Sequence, residues 1–326
     1  MPMTAALADQ DRPSSDDPDA RPAPQGPLQL VMNEHSGAQP TSRVRETLVQ
    51  ALQAAGRRHE VVLLTREAPI ARLAQTAALR ARDEGGAVVA VGGDGTVNAV
   101  AQAAFDAGCP MGVVPQGTFN YFARTHGIPL AVEEAAAILL QGRLKPAQTA
   151  LVNGRVCLVN ASLGLYPLAL EDRESFQRTM GRSPWNALLA GVWTLLRAHR
   201  QWTLLIDLEG RRRRVRTPTL FVGNNRLQME RVGLEEAAAP ARGRIAAVML
   251  KPVGSLTMLW LLLRGALGTL GSAAGVESFE FERMVVRPGL PYGPRRAKVA
   301  IDGEVCWLRA PLEFRVAPRP LWLISP

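Results

Sequence analysis

The chain has 326 residues, which is long enough for two domains with separate hydrophobic cores. Hydrophobic residues make up 47% of it and charged residues 21%, as in ordinary soluble globular proteins, and its longest apolar run, 256–263, is far shorter than the roughly 20 residues of a membrane-spanning helix. The net charge of +9 favours an acidic partner, and because only 5% of the residues are aromatic and no nucleic-acid-binding module is recognisable, we expect an anionic membrane surface and no nucleic acid.

The N-terminal segment 1–26 is rich in Ala, Pro, Asp and Ser and has no apolar periodicity, so we expect a disordered tail. It also lacks the apolar core of a signal peptide. Cys109, Cys157 and Cys306 lie far apart and match neither a metal motif nor a disulfide framework. We therefore expect a cytoplasmic protein with buried free thiols that associates with membranes peripherally.

Short apolar strands and amphipathic helices alternate over residues 27–146. Strands are predicted at 28–32, 60–64, 87–91 and 111–114, and helices at 42–55, at 69–84 and from 97 onward. This order predicts a parallel sheet with right-handed crossovers and helices on both faces, a doubly wound α/β domain. A short helix after Asn120 ends at His126, which we interpret as a helix-end cap.

A glycine-rich loop, Gly92-Gly93-Asp94-Gly95-Thr96, joins the third predicted strand to the next helix. Glycines let a bulky ligand approach the main chain. The loop N–H groups and the helix N-terminus point at one spot with partial positive charge, which predicts a phosphate site. The acid at position 94 suits the magnesium ion that accompanies a nucleotide, or a positioned hydroxyl.

A second loop, 115–124, follows the next strand and contains Gly117, Thr118 and Asn120. The carboxyl ends of parallel strands meet at one edge of a sheet, where open α/β sheets bind ligands. We therefore expect the two loops to lie side by side. Together they favour a nucleotide site over a plain strand-to-helix turn.

From residue 147 the pattern changes to short strands with few helices. A hairpin is predicted around Asn153-Gly154, and further strands are predicted at 202–208, 217–223, 245–250, 278–286 and 298–301. We expect residues 147–309 to form a second domain, an antiparallel β-sandwich or barrel.

Two basic segments in this region are candidate contacts to anionic lipid. A helix predicted from Ser183 onward carries Trp185 and Trp193 on one face and ends in basic residues. It fits either a helix packed on the second domain or a lipid-facing element. The arginines at 211–214, with Arg216, fit either a lipid contact or a solvated hairpin end.

The loop sequences GGDGTVN, at 92–98, and GTFNYFAR, at 117–124, resemble the catalytic domain of diacylglycerol kinases, a family that includes bacterial lipid kinases, sphingosine kinases and ceramide kinases. The resemblance runs from residue 28 or so to the C-terminus. It implies an active site in the cleft between two domains. It also implies that the C-terminal segment 310–326 returns to the first domain, through a last strand around 312–316.

The resemblance further implies the ligands and the residues that bind them. The expected cofactors are ATP and Mg²⁺, with the metal held at Asp94 through the nucleotide. Nucleotide-binding residues are expected at Asn33, Gly37, Thr65, Gly92, Gly93, Asp94, Gly95, Thr96, Asn98, Gly117, Thr118 and Asn120. Residues lining the substrate cleft are expected at Asn160, Ser162, Gly164 and Asp302.

Phosphoryl transfer also needs a group that accepts the proton of the acceptor hydroxyl. The acid pair Asp302-Gly303-Glu304 follows the predicted strand 298–301 and, taken alone, is more typical of a simple turn. In the family the glutamate of this Asp-Gly-Glu is taken as the general base, which implies Glu304 in that role. Asp94 is the rival base.

Two departures from the family pattern affect the expected metal sites. Many bacterial members carry Asp where this chain has Tyr121, so one carboxylate of the usual magnesium-linked network is missing. Bacterial members also often carry an acidic stretch that binds a structural magnesium ion, whereas residues 241–245 contain no acid. We expect no structural magnesium site, with Arg242 or Arg244 in place of the cation.

These observations predict an ATP-dependent lipid kinase that phosphorylates a hydroxyl of diacylglycerol or a related membrane lipid, on a membrane that it contacts transiently. Three alternatives stay open: a sphingoid-base or ceramide kinase, a nucleotide-binding regulatory protein of the same fold with weak or lost activity, and a kinase of a soluble acceptor such as a dinucleotide. The second loop and the basic helix favour the lipid. A homodimer is compatible with the sequence.

Overall fold

The structure, a computed structural model, describes residues 19–33, 41–64, 69–164, 201–231, 233–252, 275–289 and 295–326, together with single residues at 167, 257, 260, 264, 269, 271 and 273. Within these residues it contains three β-sheets, of seven, six and six strands, which we call sheets I, II and III. Gly37, Thr65 and the helix predicted from Ser183, with Trp185 and Trp193, lie outside the described residues.

No helix in the described ranges has the length and apolar character needed to cross a membrane.

Sheet I is built mainly from the N-terminal half of the chain. Its strands are β1 (Arg21–Pro22), β2 (Leu28–Asn33), β3 (His59–Leu64), β4 (Ala87–Gly92), β5 (Met111–Pro115), β6 (Arg143–Ala147) and β19 (Leu321–Ser325), in the order β1-β6-β19-β5-β4-β2-β3. The strands from β19 to β3 pair in parallel, and β6 and β1 add antiparallel pairs at one edge. Every residue of β4 is buried, which explains its uninterrupted apolar sequence.

Helices cover both faces of sheet I. They are α1 (Thr41–Ala54), α2 (Ile70–Asp83), α3 (Asp94–Ala107), α4 (Tyr121–Thr125) and α5 (Val132–Gln141). Helices α2 and α3 bury small residues such as Ala78 and Ala104 on one face, and α1 and α5 bury Leu48 and Leu139 on the other. The predicted doubly wound sheet is confirmed.

Sheets II and III are antiparallel and pack face to face. Sheet II contains β7 (Ala150–Val152), β8 (Arg155–Cys157), β10 (Trp202–Leu208), β11 (Arg211–Thr217), β15 (Arg283–Pro288) and β18 (Leu312–Val316), in the order β11-β10-β15-β18-β7-β8. Sheet III contains β9 (Asn160–Gly164), β12 (Thr219–Gly223), β13 (Ile245–Leu250), β14 (Val276–Phe281), β16 (Arg296–Ile301) and β17 (Glu304–Arg309), in the order β14-β13-β12-β9-β16-β17. One hydrophobic core draws side chains from both sheets, so this part of the chain is the expected β-sandwich.

The outer face of sheet III is covered in part by short helical elements. These are α6 (Arg226–Arg231) and two 3-10 turns, Glu235–Ala238 and Pro240–Arg242. Met229 of α6 and Ala239, which joins the two turns, pack against Ala246 and Val248 of β13. Together they form a small separate core. Sheet III is thus packed on both sides over this strand.

The prediction that residues 312–316 return to the first domain is wrong. They form β18, which pairs with β15 and β7 in sheet II because Leu312 and Phe314 alternate into the sandwich core. The strand that returns is β19, which pairs with β5 and β6. In the segment expected to be a disordered tail, residues 21 and 22 form β1 and pair with β6.

Two predicted single strands are each divided between two sheets. Residues 217–223 contain the end of β11 and all of β12, and residues 278–286 contain parts of β14 and β15. In both cases the chain crosses from one layer of the sandwich to the other. The apolar pattern continues through the crossing, so the sequence does not reveal the break.

Candidate active site

The glycine-rich loop leads from the buried strand β4 directly into α3, with Gly93 as the N-cap. No side chain caps the helix, so its first N–H groups are left for an anion. The buried Thr96 folds back over the loop, and a β-carbon added to Gly92 would lie 2.6 Å from its Oγ1. Position 92 therefore requires glycine.

This loop packs against the loop that follows β5. The amide N–H of Gln116 donates to the carbonyl of Gly92 at 2.8 Å. A β-carbon on Gly117 would lie 2.9 Å from the α-carbon of Gly93, so the loops meet main chain against main chain. The predicted side-by-side arrangement at the carboxyl edge of sheet I is confirmed.

Asn120 fixes the shape of the second loop. Its backbone is left-handed, with φ of 50°, and its side chain is buried. Oδ1 accepts from the N–H of Gly117 at 2.9 Å, and Nδ2 donates to the carbonyl of the same residue at 2.7 Å. The amide thus closes a tight loop around Gly117.

Asp94 links the two loops. Its Oδ2 accepts from the backbone N–H of Asn120 at 3.2 Å, and the backbone of Tyr121 also contributes a hydrogen bond. Burial raises the pKa of this carboxyl, and the backbone hydrogen bonds oppose that rise. An acid held in this way is rigid and lies at the point where the two loops meet.

A cleft of about 250 Å³ opens beside these loops, between α2 and α3 on one side and β8, β16 and β17 on the other. Glu304, the first residue of β17, lines it and is exposed. Its Oε1 lies 3.2 Å from the position that a β-carbon on Gly95 would occupy. The structure therefore brings Glu304 to the first turn of α3, where Gly95 directly follows Asp94 in the sequence.

The side chain of Asp302, two residues earlier, points away from the cleft and towards main-chain N–H groups. Its Oδ1 accepts the N–H groups of Val159 and Asn160, at 2.8 and 2.9 Å, and its Oδ2 accepts that of Leu158 at 2.8 Å. Burial raises the pKa of Asp302, and these bonds oppose the rise. The carboxylate holds the segment that crosses from β8 in sheet II to β9 in sheet III.

Asn98, on the second turn of α3, joins the same network. Its Nδ2 donates to Asp302 Oδ2 at 2.6 Å and to the carbonyl of Val156 at 3.1 Å. Asn98 also lines the cleft. The structure thus places it between α3 and the sandwich, where it ties the two parts of the chain together.

The remaining predicted residues lie around this centre. Asn33 ends β2, at the same edge of sheet I as the glycine-rich loop. Asn160 donates through Nδ2 to Gln228 Oε1 of α6 at 3.0 Å, and Ser162 is buried in β9. Gly164 ends that strand with φ of 97°, a conformation that side chains rarely adopt.

The structure adds Arg155, which sequence reasoning did not single out, and Cys306, which was expected to be a buried thiol and is only partly buried. Both line the cleft with Glu304, and the side chain of Arg155 hydrogen-bonds the thiol of Cys306. Burial raises the pKa of Cys306, and the guanidinium opposes this. Arg155 places a positive charge in the cleft, and nothing in its hairpin sequence distinguishes it from an exposed turn residue.

Tyr121, where many family members carry Asp, is held by aromatic and basic neighbours. Its ring stacks on Phe119 with 5.7 Å between centroids, and its hydroxyl accepts from Nη1 of Arg231 at 3.1 Å. These residues and Thr118 line a second, open cavity of about 610 Å³ beside the second loop.

The arginines expected to replace a structural cation form ion pairs. Arg242 pairs with Glu280, and Arg244 approaches Glu280 and Glu209 at 3.8 and 3.5 Å. In the part of the chain that the structure describes, no three His, Cys, Asp or Glu side chains cluster as metal ligands would. The absence of a structural magnesium site stays a prediction.

Comparison with curated proteins finds lipid kinase relatives over part of the chain. The protein named probable lipid kinase YegS from Salmonella typhimurium is 38% identical over 100 residues, which are 29% of this chain and 33% of that protein. The protein named probable lipid kinase YegS-like from Klebsiella pneumoniae is 40% identical over 98 residues, with the same shares. This chain therefore matches about a third of the length of these relatives.

Comparison with solved structures extends over nearly the whole chain. The crystal structure of a diacylglycerol kinase from Bacillus anthracis superimposes with a TM-score of 0.65 at 16% identity, covering 93% of this chain and 97% of that one. At this identity the likeness establishes the fold. Residues 27–152 match the family model described as the diacylglycerol kinase catalytic domain, and this match confirms the resemblance that the two loops carry.

Proposed function

We propose that the protein is an ATP-dependent lipid kinase that transfers the γ-phosphate to a hydroxyl of diacylglycerol or a related membrane lipid. The observation that carries the proposal is the position of Glu304, whose carboxylate lies at Gly95 where the phosphate loops meet the cleft. The family match of residues 27–152 and the names of the lipid kinase relatives support the same class of reaction.

The two loops fit the phosphates of a nucleotide and its metal ion. The close packing at Gly92, Gly93 and Gly117 excludes side chains, so phosphate oxygens can reach main-chain N–H groups at the start of α3. Asp94 supplies a carboxylate, the kind of hard oxygen ligand that Mg²⁺ prefers. When bound, Mg²⁺ neutralises charge that develops on the phosphates.

Glu304 is better placed than Asp94 to accept the proton. The Asp94 carboxylate is occupied by backbone N–H groups that order the loops. In the described ranges, no side-chain hydrogen bond or ion pair engages Glu304, which faces the open cleft. As the acceptor oxygen bonds to the γ-phosphorus and the bond from phosphorus to ADP breaks, the hydroxyl proton passes to Glu304.

Asp302 and Asn98 act as positioning residues in this scheme. The turn that carries Glu304 begins at Asp302, whose carboxylate is held by three backbone N–H groups and by Asn98 of α3. Glu304 is therefore fixed relative to the helix that presents Asp94. This coupling keeps one geometry between residues of α3 and residues of sheet III.

Transfer of labelled γ-phosphate from ATP and magnesium into a panel of acceptors tests the proposal. The panel contains diacylglycerols, ceramide, sphingoid bases and a soluble dinucleotide, and the Asp94→Ala and Glu304→Gln variants are run beside the wild type. A labelled diacylglycerol that disappears in both variants is the expected result. Label in ceramide, a sphingoid base or the dinucleotide instead would contradict the proposed acceptor.

One observation favours a second candidate, a nucleotide-binding regulatory protein of the same fold with weak or lost activity. Tyr121 stands where many members have a carboxylate, and Arg231 holds it in place. No label in any acceptor, with ATP binding still measurable, would support this second function. Tyr121→Asp would then be the first variant to test for restored transfer.

A further inference from the structure

The outer face of sheet II is lined with arginines. Leu204, Ile206, Met284 and Val286 alternate into the sandwich core, so their neighbours along β10 and β15 point outward. In β11, Val215 packs against the same core, which turns the residues on either side of it outward as well. The outward positions form what we call the arginine face: Arg212, Arg214, Arg216, Arg283, Arg287 and Arg315.

Strand pairing makes these residues neighbours. Arg214 lies opposite Leu205 of β10, and Leu205 lies opposite Arg287 of β15. Arg216 lies opposite Thr203. The arginines therefore form one continuous patch across four adjacent strands, β11, β10, β15 and β18.

The patch has far more positive than negative charge. Its carboxylates on these strands are Asp207, paired with Arg212 at 2.9 Å, and Glu313, which is 2.7 Å from Arg283. Within the described part of the chain, Arg214, Arg216 and Arg287 have no carboxylate at ion-pair distance, and all three are exposed. Glu209, at the turn after β10, lines a pocket with Arg283 and Arg287, so six arginines stand against three acids and leave an excess of positive charge on this face.

The middle of the patch is aliphatic. Leu205 is 37% exposed between Arg214 and Arg287, and Val285 lies half-buried on the next strand. A basic face with an aliphatic centre matches the interfacial region of a bilayer, where anionic headgroups surround the first methylene groups. Nucleic acid would be matched better by aromatic side chains, and the outward positions named here include none.

The face also lies beside the active-site cleft. Leu151 of β7 and Val156 of β8 lie on the same outer face of sheet II. There they pack against the hydrophobic core that also contains side chains of α3. Val156 lies on this outer face and also lines the cleft, and β15 lies three strands away from β8 in sheet II, at about 14 Å for a strand spacing of about 4.8 Å. The outer side of sheet III is instead covered over β13 by α6 and the 3-10 turns.

We propose that the arginine face is the surface by which the protein docks on a bilayer of anionic phospholipid. Docking there would hold the cleft close to the headgroup layer and so to the acceptor lipid, and in that respect the inference rests on the proposed function. The docking itself depends only on charge and shape. It can therefore be measured without any phosphoryl transfer.

Cosedimentation of the full chain with vesicles tests the proposal. The vesicles are phosphatidylcholine alone, or phosphatidylcholine and phosphatidylglycerol in equal parts. The expected result is retention on the anionic vesicles only, lost at high salt. Arg214→Glu combined with Arg216→Glu should weaken retention at least about 30-fold, because each arginine near such a surface contributes about a factor of five.

A matched control changes the same charge on the opposite side of the sandwich. Arg296 and Arg309 are exposed and lie opposite each other on β16 and β17. Arg296→Glu combined with Arg309→Glu should keep most of the retention. Equal loss in both double variants, or no retention of the wild type, would overturn the proposal, and so would tighter binding to duplex DNA than to the anionic vesicles.

Two further measurements separate folding and catalysis from docking. The milder pair Arg214→Gln and Arg216→Gln should also lower retention, with an unchanged thermal unfolding midpoint. Transfer to a short-chain diacylglycerol free in solution should be the same in the Arg214/Arg216 variants as in the wild type. Failure of that transfer in the wild type would count against the proposed function while leaving the vesicle result to decide the docking surface.

Discussion

The carboxylate of Glu304 lies against Gly95, with Oε1 3.2 Å from the position that a β-carbon would occupy. Gly95 is in the first turn of α3, where the helical backbone fits any residue. This glycine leaves room for a side chain that arrives from sheet III, whereas Gly92 leaves room for Thr96 and Gly93 for the second loop. The glycine-rich loop and the proposed proton acceptor are fitted to each other across the cleft.

Gly95→Ala should lower turnover without weakening the fold. The added methyl group displaces the Glu304 carboxylate, and small misplacements of a catalytic group cost roughly 10- to 100-fold in rate. Stability should stay the same or rise by up to about 1 kcal/mol, because alanine favours a helix over glycine. Steady-state kinetics and urea unfolding of the same preparation check this, and unchanged turnover would place Glu304 outside the reaction.

Glu304→Gln should lower turnover by about 10²- to 10⁴-fold, the usual contribution of a general base, with little change in nucleotide affinity. Asp106→Asn is the matched control, because Asp106 lines the same cleft and its loss changes the local charge equally. That variant should keep most of the activity. A collapse of ATP affinity in Glu304→Gln would instead identify Glu304 as a metal or structural group.

The sequence was sufficient to predict the parts of the site that depend on local pattern. The two loops follow consecutive parallel strands, and parallel strands end at one edge, so the contact of Gly93 with Gly117 could be expected. The α/β order of the first domain and the change to short strands at residue 147 were also visible in the hydrophobic periodicity.

The sequence was insufficient where long-range packing decides. Nothing in the Asp-Gly-Glu motif shows that Asp302 turns into the backbone while Glu304 turns into the cleft, because φ of 47° at Asp302 and the crossing segment set that direction. Arg155 reaches the cleft only because β7 and β8 form an edge of sheet II. For the same reason the sequence did not show that β19, rather than β18, returns to sheet I. Both are short strands in which apolar residues alternate with others.

Asp302→Asn should destabilise the protein by about 2–3 kcal/mol. An amide has only one oxygen, so its NH₂ group would face at least one of the N–H groups of residues 158–160 that the carboxylate now accepts. Denaturant unfolding measures the change. Glu304→Gln is the control. Because the Glu304 side chain is exposed, the unfolding free energy of this variant should be close to that of the wild type.

The link through Asn98 can be measured by a double-mutant cycle. Asn98→Ala alone should cost about 1 kcal/mol, because it removes hydrogen bonds to Asp302 and Val156. In the double variant with Asp302→Asn, the loss of unfolding free energy should be smaller than the sum of the two single losses, because both variants remove the same contact. Strict additivity would show that the two side chains do not act together.

His126 should make the protein sensitive to mild acid. It ends α4, packs on the ring of Phe122 with 4.6 Å between centroids, and burial lowers its pKa from 6.5 to about 4. Between these values the unfolded chain binds a proton that the folded chain does not, so stability is lost as the pH falls. The contribution should be about 2 kcal/mol between about pH 7 and about pH 5. His126→Gln should flatten this part of the profile of unfolding free energy against pH. Equal slopes in the wild type and in His126→Gln would show that other groups cause the acid sensitivity.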